Sequence, residues 1–260
     1  MSAFEHILAE RDGAILWITI NRPAALNALN PLAHRELSAA LDSYAADAAL
    51  RVAVITGAGD RAFCVGSDLK ARAKANADDH PPTGFGGISH RFDLAKPVIA
   101  AVNGLALGGG VEIVAACDLA IAADHVEFGL PEPRVGLAAL GGGGLQRLAR
   151  ALPLKHAMEL VLTGRRFGAE EARRIGLIND VVPRAELKAR VRAMAAQIIE
   201  GAPLAVEASK QVMLHSLALP DLQASLRARY PAAERMLVSE DAKEGQRAFV
   251  EKRKPCWQGR

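Results

Sequence analysis

The sequence predicts an α/β fold, on three observations. Four short runs are apolar throughout and rich in β-branched residues, the pattern of strands buried on both faces. Segments with helical spacing separate them, as expected where helices pack against a sheet. Beyond residue 185 strand signals stop and only helical ones remain. The 260 residues suffice for one large core and a small appended subdomain. The expected division is an α/β core over 1–200 and a helical C-terminal subdomain over 201–260.

Residues 14–20 (AILWITI) are the first predicted strand, closed by Asn21-Arg22-Pro23. Asn30-Pro31 pairs an N-cap residue with proline at the first helical position. Leu37, Leu41 and Tyr44 share one face of the helix it opens. Strands follow at 52–56, ended by Gly57-Ala58-Gly59, at 98–102, ended by Asn103-Gly104, and at 119–122. Residues 76–87, with Asp78-Asp79-His80-Pro81-Pro82 and Gly84-Phe85-Gly86-Gly87, are expected to form a mobile loop. Helices are predicted over 186–200, 204–217 and 232–238, punctuated by Pro203, Pro220 and Pro231. No internal repeat is visible in the sequence.

Composition narrows the class of function. A hydrophobic content of 50% argues against disorder, and no apolar run reaches the ~20 residues of a membrane span. The start, Met1-Ser2-Ala3-Phe4-Glu5-His6, lacks the pattern of a secretory signal, so the cytoplasm is the expected location. Cys64, Cys117 and Cys256 show no metal-type spacing and are expected to be free thiols. The net charge of +3 is dispersed and aromatics are 4% of residues, which disfavours a nucleic-acid partner.

Three segments carry candidate chemistry. In 96–118 (KPVIAAVNGLALGGGVEIVAACD), a buried strand passes through Gly108-Gly109-Gly110 into a helix with Glu112 in its first turn. First-turn N–H groups lack internal partners and carry partial positive charge, so Gly109 can offer its N–H to a ligand oxygen. The plainer reading is a tight turn, with Glu112 compensating the helix dipole. In 63–69 (FCVGSDL) the loop could present a second N–H, from Ser67, or be only a loop. Two such donors make an oxyanion hole. In 128–136 (FGLPEPRVG), Glu132 stands between two prolines that push it toward extended backbone and restrict it; a surface salt bridge is the alternative. The following Gly141-Gly142-Gly143-Gly144 could hold a phosphate or line a pocket, lining being the expected role. No acid lies between Arg134 and Arg150, so the loop adds no third carboxylate.

Together these segments resemble the crotonase (enoyl-CoA hydratase/isomerase) superfamily. Asn21-Arg22-Pro23, Ala25-Leu26-Asn27-Ala28, Leu162-Thr163-Gly164-Arg165, Glu171-Ala172, Gly176-Leu177 and Phe249-Val250-Glu251-Lys252-Arg253 extend the likeness along the whole chain. The resemblance implies a core of repeated ββα turns and a helical tail that drives trimer formation, two trimers stacking into a hexamer. It makes Ser67 and Gly109 the donors to a thioester oxygen and Glu112 and Glu132 the two catalytic glutamates. Coenzyme A, as part of an acyl-CoA substrate, is expected around Ala25, Leu26, Ser67, Asp68 and Leu69, with Phe249 and Lys252 of a neighbouring subunit closing over its nucleotide end. Ala24 stands where the family often has lysine, leaving a phosphate contact to Arg22, Lys70 or a neighbouring chain. The tail 229–260 and Phe85-Gly86-Gly87 are most similar to the carnitinyl-CoA dehydratase branch.

The activity so implied is reversible syn hydration of a trans-2-enoyl-CoA, or the reverse dehydration, with no metal or redox cofactor, no nucleic acid and no membrane partner. Glu112 would act as base toward water and Glu132 would protonate Cα. A Δ3–Δ2 enoyl-CoA isomerase needs only one acid and is the first alternative. Carnitinyl-CoA dehydratase as the specific activity is a second, and a non-catalytic RNA-binding relative is a third, from a different class.

Overall fold

The computed structural model describes residues 4–74 and 80–260. The chain opens with a hairpin, β1 (Ile7–Asp12) and β2 (Ile15–Ile20), followed by helix α1 (Pro31–Ala46). Next come β3 (Val52–Gly57), β4 (Ala62–Cys64), α2 (Leu69–Lys74), β5 (Val98–Val102), β6 (Leu105–Leu107) and α3 (Gly109–Ala116). They are followed by β7 (Leu119–Ala123), β8 (Glu127–Gly129), a 3-10 turn over Glu132–Val135, α4 (Gly144–Ala151) and α5 (Leu154–Thr163). The remainder is β9 (Arg166–Gly168), α6 (Ala169–Arg174), β10 (Asp180–Val182), α7 (Leu187–Ile199), α8 (Pro203–Ser216), α9 (Leu222–Arg227), α10 (Pro231–Leu237) and α11 (Glu240–Val250).

Two sheets organise these elements. The larger runs β1-β2-β3-β5-β7-β10 and the smaller β4-β6-β8-β9. In the larger sheet only β1 is antiparallel to its neighbour. Three times the chain lays a strand in the large sheet, crosses a tight turn, lays a three-residue strand in the small sheet and enters a helix. The ββα repeat is therefore structural, although the sequence shows none. Each turn needs only an apolar strand, a corner and a helix N-terminus, which different residues can supply.

Burial explains the elements. Val52, Ala53, Val54 and Ile55 are fully buried, and α7 covers one face of the sheet with Leu187, Val191 and Ala195. The Asn30 side chain caps α1 by accepting from Ala33 N–H at 2.9 Å. Leu37, Leu41 and Tyr44 are all 0% exposed on its inner face. The predicted strand at 14–20 and the three predicted tail helices appear within a residue of their expected bounds. β1 went unrecognised because an edge strand reading ILAERD is mostly polar, and tripeptide strands are too short to display a period. Among the described residues no helix is long and apolar enough to cross a membrane.

The expected mobile loop is a correction. Residues 76–79 lie outside the described residues, but from His80 onward the segment is anchored. Phe85 is 2% exposed, Gly86 N–H donates to His34 Nδ1 at 2.9 Å, and a Cβ on Gly87 would strike the Ser38 backbone.

Candidate active site

The site forms where α3 starts. Gly108 takes φ +52°, a conformation costly for any side chain, and its Cα faces the Glu132 carboxylate: an added Cβ would lie 2.6 Å from Glu132 Oε1. A Cβ on Gly110 would overlap the Cys64 carbonyl, so this glycine lets α3 seat against β4. On Gly109 a Cβ would come 2.2 Å from the Phe85 ring. The sequence suggested ligand approach as the reason for Gly109, and Phe85 is a second reason that it did not reveal.

Gly109 is the first residue of α3, so its N–H has no partner within the helix. Ser67 pairs with Leu29 as an isolated parallel bridge, in which Gly66 C=O accepts from Leu29 N–H and Asp68 N–H donates to Leu29 C=O, both at 2.8 Å. Backbone alternation turns the Ser67 N–H to the opposite side. Gly66 sits directly on Gly109, a Cβ there falling 3.0 Å from Gly109 N. The two loops carrying the expected donors are thus adjacent, and among the described residues no hydrogen bond uses either N–H.

Glu112 is 3% exposed. Its Oε1 accepts the Gly144 N–H at 2.8 Å, and a Cβ on Gly142 would lie 2.6 Å from Glu112 Cβ. The tetraglycine therefore wraps the carboxylate, its small size being what admits it, and the leading N–H of α4 is spent on Glu112 rather than on a phosphate. The loop encloses the Glu112 carboxylate. Burial lifts the Glu112 pKa, while the N–H groups of Gly144 and Gly142 and the Arg147 guanidinium restrain the rise.

Glu132 opens the 3-10 turn rather than an extended stretch, a correction to the proline argument. The turn is closed by Arg134 N–H to Pro131 C=O and Leu137 N–H to Glu132 C=O, both 2.9 Å, and Pro133 falls in the first turn, where its missing N–H costs nothing. Its Oε2 is buried without a hydrogen-bond partner, and no ion pair holds Glu132 among the described residues. Burial raises its pKa, and the nearby Glu112 charge raises it further.

The bridge puts Leu29 beside Ser67; Ala25 and Leu26, both half-buried, precede it by a few residues, and Leu69, 60% exposed, follows Asp68. Arg22 donates from Nη2 to Asp68 at 2.9 Å and from Nη1 to Ala28 C=O, so it is committed within the fold. Burial alone would raise the Asp68 pKa, but Arg22 and the Ala71 and Lys70 N–H groups hold it below the ordinary aspartate value. Asn27, fully buried with φ +56°, donates to Ala58 C=O at 3.0 Å and Ala62 C=O at 2.8 Å. Phe249 is 86% exposed at the end of α11 and Lys252 follows it, both remote in sequence from the elements that build the site.

Sequence reasoning gave His34 and Arg147 no role in this region, and named Asn27 only within a family motif and Phe85 only within the segment 76–87, a candidate wall of the acyl pocket together with residues 137–140. Arg147 donates to Ser89 C=O at 2.6 Å and lies over the Phe92 ring. Phe85 packs edge-on to His34, centroids 4.6 Å apart. The Phe85-Gly86-Gly87 run was the available signal.

Known proteins share this arrangement of chain. The family described as enoyl-CoA hydratase/isomerase matches residues 10–260. A carnitinyl-CoA dehydratase of Escherichia coli (strain K12) is 43% identical over 98% of this chain and 99% of its own length. The crystal structure of an enoyl-CoA hydratase from Mycobacterium tuberculosis H37Rv superimposes with a TM-score of 0.92 at 41% identity, covering 98% of this chain and 99% of that one. One from Mycobacterium marinum gives 0.92 at 42%, with the same coverage. With a full-length family match, full-length relatives and the stacked ββα turns in agreement, the chain is an enzyme of the enoyl-CoA hydratase/isomerase family, within the crotonase superfamily.

Proposed function

We propose that the protein adds water, reversibly and with syn geometry, across the C2–C3 double bond of a trans-2-enoyl-CoA. The thioester oxygen is held between the N–H groups of Ser67 and Gly109, each such donor contributing ~3–4 kcal/mol to the barrier reduction. Glu112 takes a proton from water as the hydroxide adds to C3. Electron density moves onto the thioester oxygen, and Glu132 delivers its proton to C2. The pair ends with the proton exchanged between its members, and the reverse sequence is dehydration. Coenzyme A is part of the substrate, and the steps call for no other cofactor.

One observation carries the assignment of roles. Burial raises the Glu112 pKa, but the Gly144 N–H and Arg147 favour its charged form against that rise, whereas Glu132 Oε2 is buried with no partner. Two close carboxyls favour sharing one proton, and that proton belongs on the unpartnered Glu132. Ala25, Leu26, Asp68 and Leu69 are proposed to flank coenzyme A. Residues 201–260 are proposed to form the oligomerisation subdomain of a trimer or hexamer, since Met213, Leu217, Leu222, Leu226 and Leu237 are each 69–78% exposed. Phe249 and Lys252 of an adjacent subunit would then reach the nucleotide end.

The test is loss of enoyl-thioester absorbance with crotonyl-CoA for the native protein, Glu112→Gln and Glu132→Gln. Losses of several orders of magnitude in both variants are expected. Activity that survives in Glu112→Gln but not in Glu132→Gln would favour proton shuttling between C2 and C4, as in an isomerase. Because the relatives include carnitinyl-CoA dehydratases, carnitinyl-CoA belongs in the same assay.

A further inference from the structure

Phe85 packs against the start of α3. Its ring tip abuts Gly109, where an added Cβ would lie 2.2 Å from Cζ. Its Cδ2 edge faces Gly141, whose own Cβ position lies 3.9 Å from Phe85 Cδ2 and 4.0 Å from Glu112 Oε2. The ring therefore stands between the oxyanion end of α3 and the glycine loop around the base. With the thioester oxygen on Gly109 and C3 beside Glu112, acyl carbons beyond C3 run into that same space.

The ring is also held in place. The next residue, Gly86, donates to the buried His34 Nδ1 at 2.9 Å, and Gly86 packs so closely on α3 that a Cβ would meet Ile113 Cγ1 at 2.8 Å. Gly87 is wedged against α1, and His34 and His80 rings lie 4.6 and 5.6 Å from the Phe85 ring. Burial drives the His34 pKa down to about 3, so His34 stays neutral and keeps Nδ1 available as an acceptor. A wall bonded to α1 and packed on α3 does not swing aside cheaply.

Resting on the hydratase reading, we infer that Phe85 is the specificity-determining wall of the acyl site and limits the substrate to short enoyl thioesters. Closely packed interiors do not admit extra methylenes without displacement, and one methylene against a rigid apolar wall is worth ~10-fold or more in kcat/KM.

The experiment compares kcat/KM for crotonyl-, hexenoyl-, octenoyl- and decenoyl-CoA in the native protein, Phe85→Ala and Phe85→Leu. The native enzyme is expected to lose at least ~10-fold between the four- and eight-carbon substrates, and Phe85→Ala to raise the octenoyl/crotonyl ratio by at least ~10-fold. Phe85→Leu, which keeps most of the packing, should fall between and serves if the alanine variant does not fold. Calorimetric binding of butanoyl- and decanoyl-CoA reads the same wall without turnover. A protein that hydrates none of the four substrates but shows the Phe85→Leu shift in binding ratio overturns the hydratase reading and leaves the wall standing. Native decenoyl-CoA turnover equal to that of crotonyl-CoA, or ratios unchanged in the Phe85 variants, overturns the wall.

Discussion

Glu112 Oε1 accepts the backbone N–H of Gly144 at 2.8 Å across 32 residues of chain. The proposed base is thus oriented by the start of a different helix, one turn of the fold later. Its position depends on the packing of α3 against α4, and substitutions in the glycine loop should act on chemistry before they act on stability.

Gly142→Ala tests this relationship. The new Cβ would sit 2.6 Å from Glu112 Cβ and 2.9 Å from its carboxyl carbon, so the side chain must shift. A displacement of about 1 Å is enough for ~100-fold in kcat. Steady-state kinetics beside a melting curve should show that loss with far smaller change in Tm.

The pH profile should be bell-shaped. Burial raises both carboxyls, and the proposed chemistry needs Glu112 ionised with Glu132 protonated. Activity should rise through the pair's lower apparent pKa and fall through its upper one. Arg147→Met removes a charge that favours ionised Glu112, so the rising limb should move to higher pH when kcat/KM is measured against pH.

Stability should respond with the opposite sense. A carboxyl raised in the folded state is fully accommodated below its unfolded pKa of ~4.3 and destabilises as pH climbs through the folded value. Glu112→Gln, whose amide oxygen can still accept from Gly144, should therefore melt higher than the native protein at neutral pH. The advantage should vanish near pH 4, as read by calorimetric scans.

Asn27→Ala leaves the buried Ala62 carbonyl and the part-buried Ala58 carbonyl without their shared donor. The buried orphaned carbonyl costs ~1–3 kcal/mol. Urea titration should show a lowered midpoint with an unchanged slope, and hydratase activity in native buffer should fall less than in the Gly142 variant.

At the C-terminus, Glu244 accepts from Arg253, Arg247 and the Cys256 N–H, which hold its pKa far below the ordinary glutamate value. Such a group stabilises above its unfolded pKa and loses that contribution as pH falls toward the depressed one. Glu244→Gln should lower Tm at pH 7, with the gap closing progressively below about pH 4.

Part of this was legible in the sequence because it is written locally. Asn30-Pro31 states a helix start, and the run at β5 was read to the residue, since VIAAV is apolar between a proline and an Asn-Gly turn. Glu112 and Glu132 stood out by their glycine and proline settings. The 3-10 turn at Glu132 differs from the extended backbone expected because the proline rule describes one residue's preference, whereas backbone hydrogen bonds from Arg134, Gly136 and Leu137 close that turn. Phe85 and Gly142 gave no local sign of their contacts with Gly109 and Glu112, which lie 24 and 30 positions away in sequence.

By itself the sequence determined the α/β class, the order of the buried strands, the helical tail and the family to which the chain belongs. Periodicity, capping residues and motif spacing are properties of neighbouring residues and survive without a fold. Only the tertiary structure decided that the Ser67 and Gly109 loops touch, that Gly144 holds Glu112, that Arg22 is committed to Asp68 and that the Phe85 ring packs on Gly109. Each of these is a contact between chain segments brought together by stacking of the ββα turns. A contact of that kind is set by the packing of whole elements, and the residues on either side of it carry no record of their partner.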